Sequence, residues 1–166
     1  MNPISNPPFI NWLPPMIDFG GTHSDQLENF LFPYFKVLFL DQKLYYRKYE
    51  IVFVQDRDAD YAFKIFKHLT SYDNKYGSRS IDTERAKRLS WFPAIVSHPD
   101  DPNILCFDYC EAKGTIRTYL FLLPYDYLII LQKDEININA RIISAYYVDQ
   151  KWSKKSYIDK YNKRIK

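Results

Sequence analysis

The spacing of hydrophobic and polar positions predicts helices in the first half of the chain. Apolar residues recur at helical spacing across 27–38, where Ser24 is a suitable N-cap and Pro33 is expected to bend the helix. The β-branched run at 50–55 predicts a strand, and a charged turn follows it. Residues 61–69 fit both the helical and the strand period, and we favour a helix there.

The middle of the chain predicts a further helix, and the second half predicts strands. Ser80 or Asp82 is expected to cap a basic helix that breaks near Pro93. The Lys113-Gly114 pair is a hairpin signal. Strand-like runs separated by turns lie at 104–110, 115–123, 125–132 and 140–148. These patterns predict an α+β fold in which helices pack on one face of a twisted, mostly antiparallel sheet of four or five strands.

The length of 166 residues is near the usual size of one domain. Residues 1–23 are rich in Pro, Asn and Gly and lack periodicity, which predicts an extended arm before a single domain at 24–166. We expect four side chains to hold the arm on the domain, namely Trp12, Leu13, Met16 and Ile17. The chain has no apolar run of membrane-spanning length and no signal-peptide pattern at its start. We therefore expect a soluble, cytoplasmic protein with no membrane partner.

Basic residues are concentrated in two zones. Residues 151–166 contain seven basic residues against one acidic residue, a local charge of +6 in a chain whose net charge is +3. A second basic zone lies between Lys64 and Arg88. Two such zones suit a polyanionic partner. A lysine-rich final helix capped by Ser153 would equally favour the helix macrodipole and solubility, so the tail alone does not identify a ligand.

Motifs for common cofactors and hydrolases are absent from the sequence. The four glycines form neither a G-x-G-x-x-G nor a Walker A motif, and neither G-x-S-x-G nor H-E-x-x-H occurs. Cys106 and Cys110 lie four apart in a predicted strand, too far apart to bond each other, and we expect reduced thiols. The three histidines are scattered, so we expect no metal site and no cofactor.

A group of cationic and hydroxyl side chains could act on RNA. His68 lies in the second basic zone, and Arg85 and Arg88 are three residues apart on a predicted helix, where they would share a face. RNA cleavage without a metal needs a base for the 2′-OH, an acid for the leaving oxygen and cations for the charged phosphorane. The alternative is a half-buried histidine beside arginines that pair with Asp82 and Glu84 on a solvated face.

The order of these motifs resembles the barnase/EndoU/colicin/RelE-like ribonuclease fold of small bacterial and phage-associated proteins. The string R-x-x-D-x-x-R-x-x-R-L/I-x-W at 79–91 is its most specific element. The likeness covers roughly 25–166. Other matching features are the His68-Leu69 pair, Pro93 and Ile95, the Arg117-x-Tyr119 strand, Asp126 to Ile129, and Ile143 to Val148 before a basic helix.

This resemblance implies a metal-independent endoribonuclease that cleaves RNA by 2′-OH attack to leave a 2′,3′-cyclic phosphate. It also implies RNA as ligand and, for a toxin, a neutralising antitoxin or immunity protein. The implied catalytic residues are His68 as acid or base, Arg88, Tyr119, Ser144 and Tyr146. The implied phosphate-binding residues are Lys67, Arg79, Arg85 and Arg117. Strand alternation places Arg117 with Tyr119, and Ser144 with Tyr146, on shared faces. We expect Thr at position 144, and Ser keeps the hydroxyl.

Two other interpretations stay open. Asp100 after a proline, followed by Glu111 and Lys113, matches the PD…E-x-K pattern of magnesium-dependent nucleases. The protein could instead be a catalytically inactive module of the same fold that binds RNA or a protein. For Trp91 we prefer a role in core packing between helix and sheet.

Overall fold

A computed structural model of the protein describes residues 7–52, 61–73 and 79–166. The chain has an α+β fold with a six-stranded sheet as its main scaffold. The helices are α1 (Leu27–Phe35), α2 (Tyr61–Thr70), α3 (Thr83–Lys87), α4 (Trp91–Ser97) and α5 (Lys151–Asn162). The strands are β1 (Tyr45–Tyr46), β2 (Tyr49–Val52), β3 (Ser71–Asp73), β4 (Arg79–Ile81), β5 (Ile104–Cys110), β6 (Ile116–Leu122), β7 (Tyr127–Asp134) and β8 (Asn139–Tyr147).

The large sheet has the strand order β1-β2-β8-β7-β6-β5. Four neighbouring pairs are antiparallel, and β2 runs parallel to β8. The sequence predicted a mostly antiparallel sheet of four or five strands. The observed sheet has a sixth strand, the two-residue β1, and one parallel pair. Parallel neighbours need a crossover connection, and here three helices (α2, α3 and α4) and the strands β3 to β7 lie between β2 and β8 in the chain. The predicted strand at 50–55 is confirmed up to Val52, and its last three residues lie outside the described ranges.

The sheet curls until its two edge strands meet. The phenol oxygen of Tyr46 on β1 lies 3.2 Å from Cys106 Sγ on β5. Burial raises the pKa of the Cys106 thiol, so this sulfur is a neutral packing and hydrogen-bonding group rather than a nucleophile.

Two hydrophobic cores lie on opposite faces of the sheet, because inward and outward side chains alternate along each strand. The main core joins the sheet to the first four helices and includes Leu31, Phe35, Phe66, Phe92, Ile95, Leu120, Leu122, Ile129 and Leu131. The second core lies under α5 and contains Phe107, Tyr119, Phe121, Leu128, Ile130 and Val148, with Tyr157 and Tyr161 of the helix packed against it. Helices on both faces correct the expectation of a single helical layer. We call the sheet surface that packs against α5 the α5 face.

Local sequence accounts for the helix ends. Asp82 caps α3 by accepting from the amides of Glu84 and Arg85, as expected. The first helix begins after Gln26 rather than at Ser24. Pro33 lacks an amide proton and interrupts the α-helical ladder, and the segment continues as a π-helical turn at Lys36–Leu40.

The N-terminal arm lies against the domain from residue 7 onward. Ile10 is buried in the main core, and Trp12, Leu13 and Ile17 pack against it, whereas Met16 is exposed. Trp91 is buried as expected and donates from Nε1 to the carbonyl of Pro14 at 2.9 Å.

Within the described ranges, none of the helices has the length and apolar character needed to cross a bilayer.

Candidate functional site

His68 on α2 contacts the backbone of β8 beyond the segment that pairs with β2. Among the described residues β2 accompanies β8 only across Asn139–Arg141, and a bulge follows where the register with β7 shifts. His68 Nε2 lies 2.8 Å from the carbonyl oxygen of Ile143 at this bulge. Because a carbonyl only accepts, Nε2 carries the proton in this contact. Nδ1 is then the ring atom that can take up a proton.

Arg85 joins α2, α3 and β8. Its Nη1 donates to the carbonyl oxygens of Ser71 at 3.1 Å and His68 at 3.4 Å, and its Nε lies 3.4 Å from Asp82 Oδ2. The guanidinium also lies 5.4 Å from the ring centroid of Tyr146. Its Nη2 has no hydrogen-bond partner within the described ranges. Arg85 therefore has a structural role but keeps one amino group for an anion.

Arg88 makes a different set of contacts from Arg85. Its guanidinium lies 4.5 Å from the ring of Tyr147, whereas Arg85 lies over Tyr146. The Arg88 side chain is 8% exposed and pairs with Glu84 at 2.8 Å. The two guanidiniums therefore contact different rings, and Arg88 lies at the C-cap of α3 rather than within the helix.

Two other predicted phosphate ligands are Lys67 and Arg79. Lys67 forms an ion pair with Glu28 of α1, which fixes it against the helical layer. Arg79 begins β4, and its side chain lies outside the described part of the structure.

The paired strand residues lie on the α5 face. Tyr119 is in register with Ile130, and Ile130 is in register with Ser144, so the three share one side of the sheet. Tyr146 follows on the same side, and Arg117 precedes Tyr119 there. The shared faces predicted from strand alternation are therefore observed. Arg117 Nε is buried and lacks a hydrogen-bond partner among the described residues.

A polar group that we call the hydroxyl cluster fastens α5 to this face; its members are Glu111, Tyr119, Tyr146, Tyr157 and Lys160. Tyr119 donates a hydrogen bond to Glu111. Lys160 Nζ lies 2.7 Å from the same carboxylate oxygen and 2.9 Å from the phenol oxygen of Tyr119. Burial opposes ionisation of Glu111, but the bonds from Lys160 and Tyr119 outweigh it and lower its pKa.

The two tyrosines of the strands keep their protons. Burial, and then the hydrogen bond to Glu111, raises the pKa of Tyr119. Burial, and then the hydrogen bond with the Tyr157 hydroxyl, raises the pKa of Tyr146. Both phenols are therefore neutral hydrogen-bond donors at physiological pH. Tyr119 is 1% exposed, so it can act on a ligand only through its neighbours.

Sequence reasoning missed Tyr157 and Lys160. A signal was present, because Tyr157, Lys160 and Tyr161 are three and four residues apart and share a helix face.

The residues of the magnesium-nuclease pattern do not meet. Asp100 precedes β5 and pairs with Arg47 at 2.6 Å, whereas Glu111 follows β5 and belongs to the hydroxyl cluster. A seven-residue strand separates them, a distance of roughly 20 Å. Among the described residues, no group of three or more His, Cys, Asp and Glu is arranged to hold a metal ion.

An open groove of about 440 Å³ lies between α3, the end of β8 and the start of α5. Its lining includes Arg85, Tyr146, Tyr147, Gln150 and Trp152. The groove gives solvent access to the side of Arg85 and Tyr146.

A comparison with protein-family models, with curated proteins and with solved structures found no match to this chain.

Proposed function

We propose that the protein is a metal-independent endoribonuclease that promotes attack of a 2′-OH on the adjacent phosphate and leaves a 2′,3′-cyclic phosphate. One observation supports this most. Arg85 bonds to the backbone carbonyl of His68 and lies over the ring of Tyr146, and it lines an open groove together with Tyr146. The His68 ring bonds to Ile143, three residues before Tyr146 on the same strand. We also propose that the fold is a variant of the barnase/EndoU/colicin/RelE-like type.

Each step of this cleavage has a candidate group. His68 Nδ1 takes the proton of the 2′-OH while the 2′ oxygen bonds to phosphorus. The bond from phosphorus to the 5′ oxygen breaks, and the Tyr146 hydroxyl supplies a proton to that leaving oxygen. Arg85 offsets the charge of the phosphorane, and Ser144 donates a hydrogen bond to a phosphate oxygen. Tyr119 acts as a positioning residue, because it is buried and holds Glu111 and Lys160.

The basic surface of α5 supports RNA as the ligand. Lys154 and Lys160 are used in ion pairs with Asp126 and Glu111. Among the described residues, Lys151, Lys155 and Lys163 form no ion pair and are exposed. Exposed cations that are not neutralised internally attract phosphate groups and make binding dependent on salt.

The test is cleavage of end-labelled total RNA with and without EDTA. His68→Ala should lower the rate at least about a hundredfold. His68→Gln is the matched variant, because the amide can donate to the Ile143 carbonyl but cannot act as a base. Lys43→Gln, in an exposed pair with Glu50, serves as a control. Wild-type rates in His68→Gln would reject the assignment of the base, and cleavage only with magnesium would reject the metal-free mechanism.

A second candidate is a non-catalytic RNA-binding module. It is favoured by the commitment of both His68 Nε2 and Arg85 Nη1 to backbone carbonyls, which is typical of structural side chains. Such a protein would bind RNA with wild-type affinity in His68→Gln and would leave total RNA intact under all conditions. For both candidate functions, we propose a neutralising protein partner only if expression of the protein is toxic.

A further inference from the structure

We propose that Trp152 is a stacking platform for one base of single-stranded RNA at the groove between α3 and α5. The inference rests on the proposed function only in taking RNA as the ligand. The chain has three tryptophans, and two of them have packing partners. Trp91 is 2% exposed, and Trp12 stacks on His98 with 4.5 Å between ring centroids. Trp152 is 72% exposed.

The groove beside Trp152 has the size and lining for a nucleotide. Its volume of about 440 Å³ lies within the range of roughly 300–1,000 Å³ that is usual for small-molecule sites. Tyr147 and Tyr146 line the same groove, and Arg85 reaches it from α3. Aromatic faces hold bases without regard to sequence, and a guanidinium holds the phosphate that joins them.

Two of the three carboxylates in the groove lining are neutralised by neighbours, and the third, Asp149, is exposed and forms no ion pair among the described residues. Asp82 caps α3 and pairs with Arg85, and Glu84 pairs with Arg88 and Lys87. The pKa of Glu84 is lowered, with the hydrogen bond from Arg88 as the main cause. The flanking cations Lys151 and Lys155 are one residue before and three residues after Trp152, where they can contact phosphates on either side of a stacked base.

RNA fits this surface better than a lipid bilayer does. A helix that lies on a membrane presents a stripe of apolar side chains. The exposed residues of α5 are polar apart from the tryptophan, namely Lys151, Trp152, Lys155, Ser156, Asp159 and Asn162. One indole among polar side chains matches a base platform.

The experiment measures binding separately from cleavage. A fluorescently labelled 2′-O-methyl oligonucleotide has no free 2′-OH, so it can bind but cannot be cleaved by this chemistry. Trp152→Ala should weaken its binding in anisotropy titrations by at least about fivefold. Trp152→Tyr keeps an aromatic ring and should stay within about twofold of wild type. Tyr45→Ala removes an exposed aromatic side chain (46% exposed) on β1 and should have no effect.

Each other outcome has a definite meaning. Wild-type affinity in Trp152→Ala overturns the stacking inference, even if the protein cleaves RNA. No binding of the oligonucleotide by wild type also overturns it, and co-sedimentation with phosphatidylserine vesicles that depends on Trp152 would then identify a membrane surface. Weaker binding in Trp152→Ala together with no cleavage of total RNA by wild type supports the platform and rejects the ribonuclease.

Discussion

The ammonium of Lys160 lies 2.9 Å from the phenol oxygen of Tyr119, although 41 residues separate the two in the chain. This contact and the ion pair with Glu111 connect α5 to β6 and to the turn after β5. No residue of α5 is fully buried, so polar contacts and two half-buried tyrosines, Tyr157 and Tyr161, hold the helix in place. These few groups keep α5 packed on the α5 face.

Glu111 is expected to make stability depend on pH. Its pKa in the folded protein is below its ordinary value of 4.5, so the carboxylate stabilises the fold at neutral pH. This contribution should be lost as the pH falls through the folded pKa. Glu111→Gln should therefore lower the free energy of unfolding by about 1 kcal/mol near neutral pH and by less at about pH 3. Urea unfolding at the two pH values measures the difference.

Glu50→Gln is the control for this comparison, because Glu50 pairs with Lys43 at an exposed position. Its effect should be small at both pH values. An equal loss of stability in Glu111→Gln at neutral and acidic pH would show that the charge of Glu111 does not matter.

Tyr157→Ala should loosen α5 without unfolding the sheet. The tyrosine ring packs against Phe121 and Tyr119 of the α5 face, and its hydroxyl bonds to Tyr146. Elements with few buried contacts open locally at lower cost than the core. Hydrogen exchange should therefore accelerate in α5 and remain slow in β6 and β7. Uniform acceleration across the protein would mean that α5 and the sheet unfold as one unit.

Phe66→Ala tests the main core. The ring is fully buried and contacts Phe32, with centroids 5.2 Å apart, and Phe35 at 5.4 Å. Removing a buried aromatic ring costs about 3–5 kcal/mol, so the midpoint of chemical denaturation should fall sharply. Phe63→Ala is the matched control, because that ring is 41% exposed and should cost much less. Equal effects would contradict the burial of Phe66.

Strand alternation predicted more of the site than helix periodicity did. A strand has a period of two, so sequence alone placed Tyr119 with Arg117 and Tyr146 with Ser144, and the register agrees. The helix that carries Arg85 ends at Lys87, and Arg88 lies at its C-cap, where the backbone leaves the helical path. Three-residue spacing therefore did not place the two guanidiniums over the same ring. The contact of Lys160 with Tyr119 depends on tertiary packing and has no local signal.

The strand order also could not be read locally. A two-residue strand such as β1 has too few positions to show a period, and its pairing depends on the hairpin with β2. The residues of β3 and β4 are mostly polar and show no strand period, yet they pair over three positions. Backbone hydrogen bonding there does not require an apolar pattern.

Arg85 and Arg88 should differ in what they affect. Arg85→Gln removes a partly exposed cation beside the groove, so we expect weaker RNA binding and a salt dependence reduced by about one phosphate contact. Arg88→Gln removes a guanidinium that is 8% exposed and pairs with Glu84. We therefore expect lower stability with little change in the RNA affinity of the folded protein. Titrations of a labelled 2′-O-methyl oligonucleotide at several salt concentrations, together with urea unfolding of both variants, separate the two effects. A reduced salt dependence in Arg88→Gln, with Arg85→Gln unchanged, would mean that RNA contacts Arg88 rather than Arg85.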